Sequence, residues 1–347
     1  TSITVASTTG FAAGDEILLI NLQGASGDTA DVGNYEFLIV DSVPDGTILN
    51  LGTAVQNSYD GSSFANQEVV VQRVPQWTDV SIQSGGTLTA NAWDGSSGGI
   101  IVFRATGTVD IQSGGTISAN ALGYRQGNGV TGTDIDGHQG ESDPGTGSQS
   151  PVNNAGGGGG GDVTNIGVDS CGQGGGGGGY GSAGTDGGYG TSCGGTLPQN
   201  NAGATYGVGD LSKIYLGSGG GSGGNDENSA GASGDGGKGA GILIIFADTI
   251  TVTGNLEANG ADAPTTLVNG DNGMGGGGSG GSIYLAANSA TLGTNLVTAA
   301  GGAGGPNTGN TAWVGAGGDG GVGRIRIECD SITGTTSPSA STAGTPS

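Results

Sequence analysis

Apolar residues in this chain come in short runs, and the runs change character along it. Residues 1–75 alternate strand-like stretches with turns: Ile17-Leu18-Leu19-Ile20, Glu36-Phe37-Leu38-Ile39-Val40, Ile48-Leu49-Asn50-Leu51 and Glu68-Val69-Val70-Val71, with Pro44-Asp45-Gly46 among the turns. This spacing predicts a small antiparallel barrel or sandwich. Its expected place is as a cap on the first coil of the repeats downstream, since an open sheet edge invites uncontrolled pairing.

From Val80 the pattern repeats. Val80-Ser81-Ile82-Gln83-Ser84-Gly85-Gly86-Thr87-Leu88-Thr89-Ala90-Asn91-Ala92 returns at residues 109–121 as Val-Asp-Ile-Gln-Ser-Gly-Gly-Thr-Ile-Ser-Ala-Asn-Ala. Looser copies begin at Ile250 and Ala290. A second apolar run precedes each later copy or closes the series: Ile100 to Ala105, Ile242 to Ala247, Ile283 to Ala287 and Ile325 to Cys329. Alternating apolar residues with small corner residues at recurring intervals predict a parallel β-solenoid over 76–335, in which stacked coils bury what one coil cannot. Residues 336–347 read as a Ser/Thr/Pro tail. The fold class expected is thus all-β.

Composition changes the picture between about 124 and 238. Glycine accounts for 84 of 347 residues, against about 7% in average proteins. The longest runs are Gly156 to Gly161 and Gly174 to Gly179. A structureless loop of that length is out of place in a compact domain. Extended strands with three residues per turn offer an alternative. Glycine lets such strands approach closely enough to bond to one another, which is the logic of collagen's crowded axis. Ordering each glycine costs about 0.5–1 kcal/mol more than ordering alanine, so the backbone must be hydrogen-bonded nearly throughout.

These runs, joined by short polar turns, resemble the polyglycine-II segments of phage long tail fibre tip adhesins. The repeats around Gly85-Gly86 and Gly114-Gly115 resemble bacterial glycine-rich parallel β-helix surface proteins. The resemblance implies secretion, a rigid elongated body, and adhesion or self-assembly. Residues 1–75 have no counterpart in the tip adhesins, which favours a cell-surface or filament protein.

The formal charge is −23, from 30 acidic and 7 basic residues. Nucleic acid is a poor partner for such a chain, because binding it needs clustered Lys and Arg. No stretch is long and apolar enough to span a membrane as a helix. Thr1, with no initiating Met, reads as a processed end or an excised piece. Cys171 and Cys193 flank a glycine-rich segment and are candidates for a disulfide, while Cys329 falls on the face of Ile325 and Ile327 as a buried thiol.

Candidate chemistry is sparse. His138 is the only imidazole, and Ser142 lies four positions away without a nucleophile elbow, so a Ser/His/acid hydrolase is disfavoured. Asp134, Asp136, Glu141 and Asp143 supply oxygen ligands of the kind Ca²⁺ takes, though without EF-hand or nonapeptide spacing. Asp226 and Glu227 form a weaker second group. Arg324 and Arg326 are the one basic pair on a strand, with an ion pair as the plain reading and polysaccharide cleavage, which needs paired carboxylates, as the remote one. Trp77, Trp93, Trp313, Tyr180, Tyr189, Tyr206 and Tyr215 are rings for packing or for stacking on sugars.

The expectation is a non-enzymatic extracellular structural protein, a subunit of a self-assembling filament or surface fibre with itself as partner. The alternative is an adhesin that binds surface glycans through glycine-rich loops. Assembly candidates are Ser2, Ile3, Thr4 and Val5, by strand addition, and the tail containing Pro338 and Pro346.

Overall fold

The structure is a computed structural model and describes all residues except 133–134, 162, 167–168, 193–200, 226–230, 266–271, 308–311 and 345–347. Among the described residues there is no α-helix, and the chain is all-β. It opens with β1 (Ser2–Thr4), β2 (Glu16–Gln23), β3 (Tyr35–Ser42), β4 (Ile48–Leu51) and β5 (Glu68–Arg73). These pair antiparallel in the order β1-β4-β3-β2-β5. The four runs read from the sequence correspond to β2 through β5, and β1 contains Ser2 to Thr4. Alternation along β2 divides its side chains: Ile17 and Leu19 pack with Leu38, Val40, Leu49 and Leu51 in one core, and Leu18, Ile20 and Leu22 join another.

The remaining strands build one parallel sheet. They are β6 (Gln76–Trp77), β7 (Val80–Ile82), β8 (Thr87–Leu88), β9 (Ile100–Ala105), β10 (Thr108–Ile111) and β11 (Thr116–Ser118). After a separate antiparallel hairpin, β12 (Val163–Ile166) with β13 (Asp169–Gly172), come β14 (Ile242–Val252), β15 (Asn255–Glu257), β16 (Ser282–Thr298), β17 (Arg324–Ser337) and β18 (Ser341–Ala343). The register follows the sequence repeat. Val80 lies opposite Val109, Val109 opposite Ile250, Ile250 opposite Ala290 and Ala290 opposite Ile332. A second row runs Leu88, Ile117, Leu256, Val297, Thr336.

Between the rows the chain turns at Gly85 and Gly114, both at φ +80°, a conformation that a side chain strains. The two turns stack through a 2.8 Å hydrogen bond from Gly85 N–H to Gly114 O. The sheet therefore curls around a single core, in which Phe103, Leu243, Leu285 and Ile327 meet Ile111, Val252, Leu256 and Leu292. Cys329 belongs to this core as a free, buried thiol on the face of Ile325 and Ile327.

The outer face of the sheet grades from apolar to charged. In β9 and β14 it carries Ile100, Val102, Ile242 and Ile244, which pack under Leu18, Ile20 and Leu22 of the N-terminal sheet. The same rows in β17 carry Arg324, Arg326 and Glu328. The boundary is made by Arg104. Its Nε donates to Glu16 at 2.7 Å, and its guanidinium lies over the Phe246 ring at 3.9 Å and the Phe37 ring at 5.1 Å. A strand buried on both faces reads as a continuous apolar run, and Ile242 to Phe246 is such a run.

Glycine segments form the other side of each turn of the chain, and their hydrogen bonds have a period of three. Gly174 and Gly177 donate to the carbonyls of Gly188 and Thr185. Gly175 and Gly178 donate to Met274 and Gly277, and Gly176 and Gly179 to Gly159 and Gly156. Successive residues thus face three different neighbours, as a chain with three residues per turn must. Segments 217–225, 233–240, 273–281 and 315–323 obey the same rule. The neighbours sit so close that a methyl group has no room. A Cβ on Gly176 would fall 1.8 Å from Asn201 O, and one on Gly158 1.9 Å from Gly176 O. Segments 233–241, 273–281 and 315–323 run directly into β14, β16 and β17. One piece of chain is therefore bonded mainly backbone to backbone in its first half and packed by side chains in its second.

Candidate functional site

The two ends of the parallel sheet differ from its middle. Among the described residues β6, β7 and β8 each pair on one side only, with β9, β10 and β11. At the other end β18 covers Arg326 to Glu328 of β17, while Ser331 to Ser337 pair only with β16. Both ends therefore present free backbone edges of the same sheet, and both carry small hydroxyl side chains: Ser81 and Thr87 at one, Ser331, Thr333 and Thr335 at the other.

The expected assembly residues are held within the chain. Ser2, Ile3 and Thr4 pair antiparallel with Asn50, Leu49 and Ile48, and Val5 N–H donates to Thr47 O. The outer edge of β1 remains open at the end of its sheet. The tail folds back on its own chain: Pro338 O accepts from Thr336 Oγ1, and Ser341 Oγ donates to Gly209 O at 3.1 Å. Pro346 lies outside the described residues. Ser341 to Ala343 of the tail thus form an intramolecular strand on β17.

A polar cleft of about 450 Å³ opens beside the glycine segments, lined by Trp93, Arg125, Gln126, Asn128, His138, Gln139, Glu141, Thr146 and Lys238. Tyr124 enters the fold with its hydroxyl donating to Leu22 O, which puts Arg125 next to the segment 135–141. Arg125 grips the buried Glu141 with Nε and Nη2, both at 2.9 Å, and reaches Thr146 Oγ1 at 3.1 Å. Its ionised form is favoured by these bonds to Glu141, which push its pKa up. Gln23 Nε2 donates to Glu141 Oε1, the oxygen that also accepts from Arg125 Nη2. Glu141 is thereby committed to Arg125 and Gln23. The His138 ring places Nδ1 3.0 Å from Asn128 O, and because a carbonyl only accepts, Nδ1 carries the proton. Trp93 is 3% exposed, stands edge-on to Tyr124 at 6.1 Å, and its buried Nε1 has no hydrogen-bond partner among the described residues.

The other candidates are dispersed. Ser142 Oγ donates to Asn154 O at 2.7 Å and does not engage His138. Asp143 takes a bond from Ser142, and burial raises its pKa to about 6. Asp136 is half-buried, and Asp134, Asp226 and Glu227 lie outside the described residues. Among the described residues no three His, Cys, Asp or Glu side chains gather as cation ligands. Cys171 is buried and disulfide-bonded, and Cys193 lies outside the described residues. Arg326 pairs with Glu328 at 3.1 Å, while Arg324 caps Tyr206 O and faces the Tyr180 ring. Tyr180, Tyr206 and Tyr215 pack on one another beside Val32, and Tyr180 OH meets Ser282 Oγ at 2.8 Å. Tyr189 OH donates to Gln173. Trp77 lies against Phe103, and Trp313 is half-buried.

The cleft contains two basic residues that no sequence motif marks, Arg125 and Lys238. They bracket the glycine-rich insertion and are two of only seven basic residues in the chain. A second, apolar cavity of about 680 Å³ lies between β1 and β5, lined by Ile3, Val5, Phe11, Val55, Tyr59 and Phe64 among others. No protein-family model, curated protein or solved structure matches this chain.

Proposed function

We propose that this chain is a non-enzymatic, extracellular structural subunit whose parallel sheet is one length of a β-solenoid, extended by head-to-tail addition of further copies. Its glycine segments form a polyglycine-II layer that stiffens the body, and the N-terminal sheet caps the outer face of the early coils. The observation that carries this reading is the pair of free, parallel edges at opposite ends of one in-register sheet. A strand added at either edge would satisfy backbone groups that otherwise rely on water. Two different edges meeting make a heterologous contact, and such contacts give open filaments when they do not close into a ring. Hydroxyl side chains on both edges, Ser81 and Thr87 at one and Ser331, Thr333 and Thr335 at the other, suit addition from solution.

Negative-stain electron microscopy of the concentrated chain tests the proposal. The expected result is fibres with an axial repeat of one subunit. Thr333→Lys places charge on the edge of β17 in the manner of natural edge protection, and is expected to abolish fibres while the far-ultraviolet circular dichroism stays unchanged. Monodisperse particles from the unaltered chain at every concentration would overturn the reading. The cleft beside Arg125 favours a second reading, glycan adhesion, which is compatible with a fibre.

A further inference from the structure

We infer that the cleft lined by Trp93, Asn128, His138 and Lys238 binds an acidic saccharide, a sugar chain bearing carboxylates such as a uronate oligomer. The inference does not rest on assembly, because the cleft is complete within one chain.

Part of the lining is already engaged. Arg125 and Glu141 neutralise each other, and Gln139 spends its amide on Val152 O and its carbonyl on Ser148. These groups build the wall. Four others line the cleft with capacity left over. The Lys238 ammonium and the Asn128 amide nitrogen are exposed and make no hydrogen bond among the described residues. His138 has Nδ1 tied to Asn128 O, which leaves Nε2 for a ligand. Gln126 donates weakly to Asn128 at 3.5 Å and keeps its carbonyl oxygen.

The chemistry of this set selects the ligand class. Two amides and an imidazole provide mixed donors and acceptors, which is how a pattern of hydroxyl groups is read. Trp93, packed on Tyr124, backs the cleft as a buried ring. The lining is too polar for a lipid-like ligand, and its volume falls within the range of small-molecule sites. The charge decides the rest. The lining holds Arg125 and Lys238 against Glu141 alone, an excess of one positive charge, whereas the chain as a whole carries −23. Lys238 arrives on a glycine segment, between Gly237 and Gly239, whose backbone is fixed by bonds from Gly237 to Gly276 and from Gly239 to Tyr124. A rigid stem thus presents an ammonium that makes no ion pair among the described residues into a cleft of sugar-reading groups. A carboxylate on the sugar is its natural partner.

Isothermal titration calorimetry on the full chain tests this with a galacturonate trisaccharide, and with maltotriose as a neutral comparison. The uronate is expected to bind with a Kd of about 1 mM or tighter, and maltotriose at least about tenfold more weakly. Lys238→Gln, an exposed change that leaves the backbone bonds in place, is expected to weaken uronate binding about five- to tenfold. Asn128→Ala is expected to weaken both sugars. Absence of uronate binding at about 10 mM, equal binding of the two trisaccharides, or a Lys238→Gln variant that binds the uronate as well as the parent each overturns the inference. A failure of fibres to form leaves these readouts untouched, so the two proposals fail separately.

Discussion

The parallel sheet and the glycine segments are made from the same stretch of chain, yet they cohere by opposite means. In the sheet, residues alternate with a period of two, and rows of Val, Ile and Leu bury their side chains against one another. In the glycine segments the period is three, the few buried side chains are mostly small ones such as Ser218, Ser222 and Ser279, and successive N–H groups turn to different neighbours. The first kind of interior tolerates a change of shape at a cost set by the hydrocarbon removed. The second has no room for a Cβ at glycines such as Gly158 and Gly176, because the atoms of neighbouring backbones already occupy the space. Burial and apolarity are therefore separable: Gly158, Gly176 and Gly221 are buried, as Leu256 is, and contribute no apolar side chain.

The largest test of this contrast is Gly176→Ala, where the added methyl meets Asn201 O at 1.8 Å. It is expected to cost at least about 4 kcal/mol, the range reserved for overpacking and broken networks, or to prevent folding. Gly46→Ala is the control, because it meets nothing within 4 Å and its φ is ordinary. Urea denaturation of the two variants decides the matter, and equal midpoints would break the comparison. Next comes Leu256→Ala in the side-chain core. Leu256 is fully buried and packed between Ile117 and Val297, so a loss of about 2–5 kcal/mol is expected.

A smaller effect, with a sign that depends on pH, comes from Asp143. Burial raises its carboxyl from 3.8 to about 6. The folded state therefore holds the proton more tightly than the unfolded one. The contribution is most favourable below about pH 4 and is lost as pH rises through about 6, at which point the buried group must ionise. Asp143→Asn is expected to stabilise the protein at pH 7.5 by about 1–2 kcal/mol and to leave it unchanged at pH 4. Thermal melts at the two pH values read this out.

The smallest effect sharpens the corner between the two regions. Asn120 Oδ1 accepts from Asn259 N–H at 2.7 Å, and Asn259 Oδ1 accepts from Ala300 N–H at 2.8 Å, so these side chains tie neighbouring corners of the curled sheet together. Asn259→Ala is expected to cost about 1 kcal/mol, seen as a small shift of the urea midpoint without a change of slope.

Much of the architecture was legible in the residues themselves. The copy of residues 80–92 at 109–121 predicted which residues stack, and Val80 opposite Val109 and Thr87 opposite Thr116 bear out that register. Period-two alternation placed Cys329 with Ile325 and Ile327, and turn spacing marked the strands of residues 1–75. These features are local, because a strand's two faces and a glycine's freedom follow from the residue and its immediate neighbours.

What the sequence could not contain was the identity of neighbours distant along the chain. Nothing in the string of glycines says that Gly176 bonds to Gly159, or that Gly175 bonds to Met274. A glycine has no side chain to specify a partner, so the pairing is chosen by the segments that the side-chain core holds in place. The same holds for the cleft. Arg125 and Lys238 are 113 positions apart (238 − 125) and share no motif. They line one cleft because the segments around Tyr124 and Gly239 are bonded side by side. Of the expected ligands Asp134, Asp136, Glu141 and Asp143, the first lies outside the described residues, and the other three do not gather into one group among the described residues. In a strand with three residues per turn, neighbours in sequence point to different sides, and Arg125 and Gln23 claimed Glu141 first.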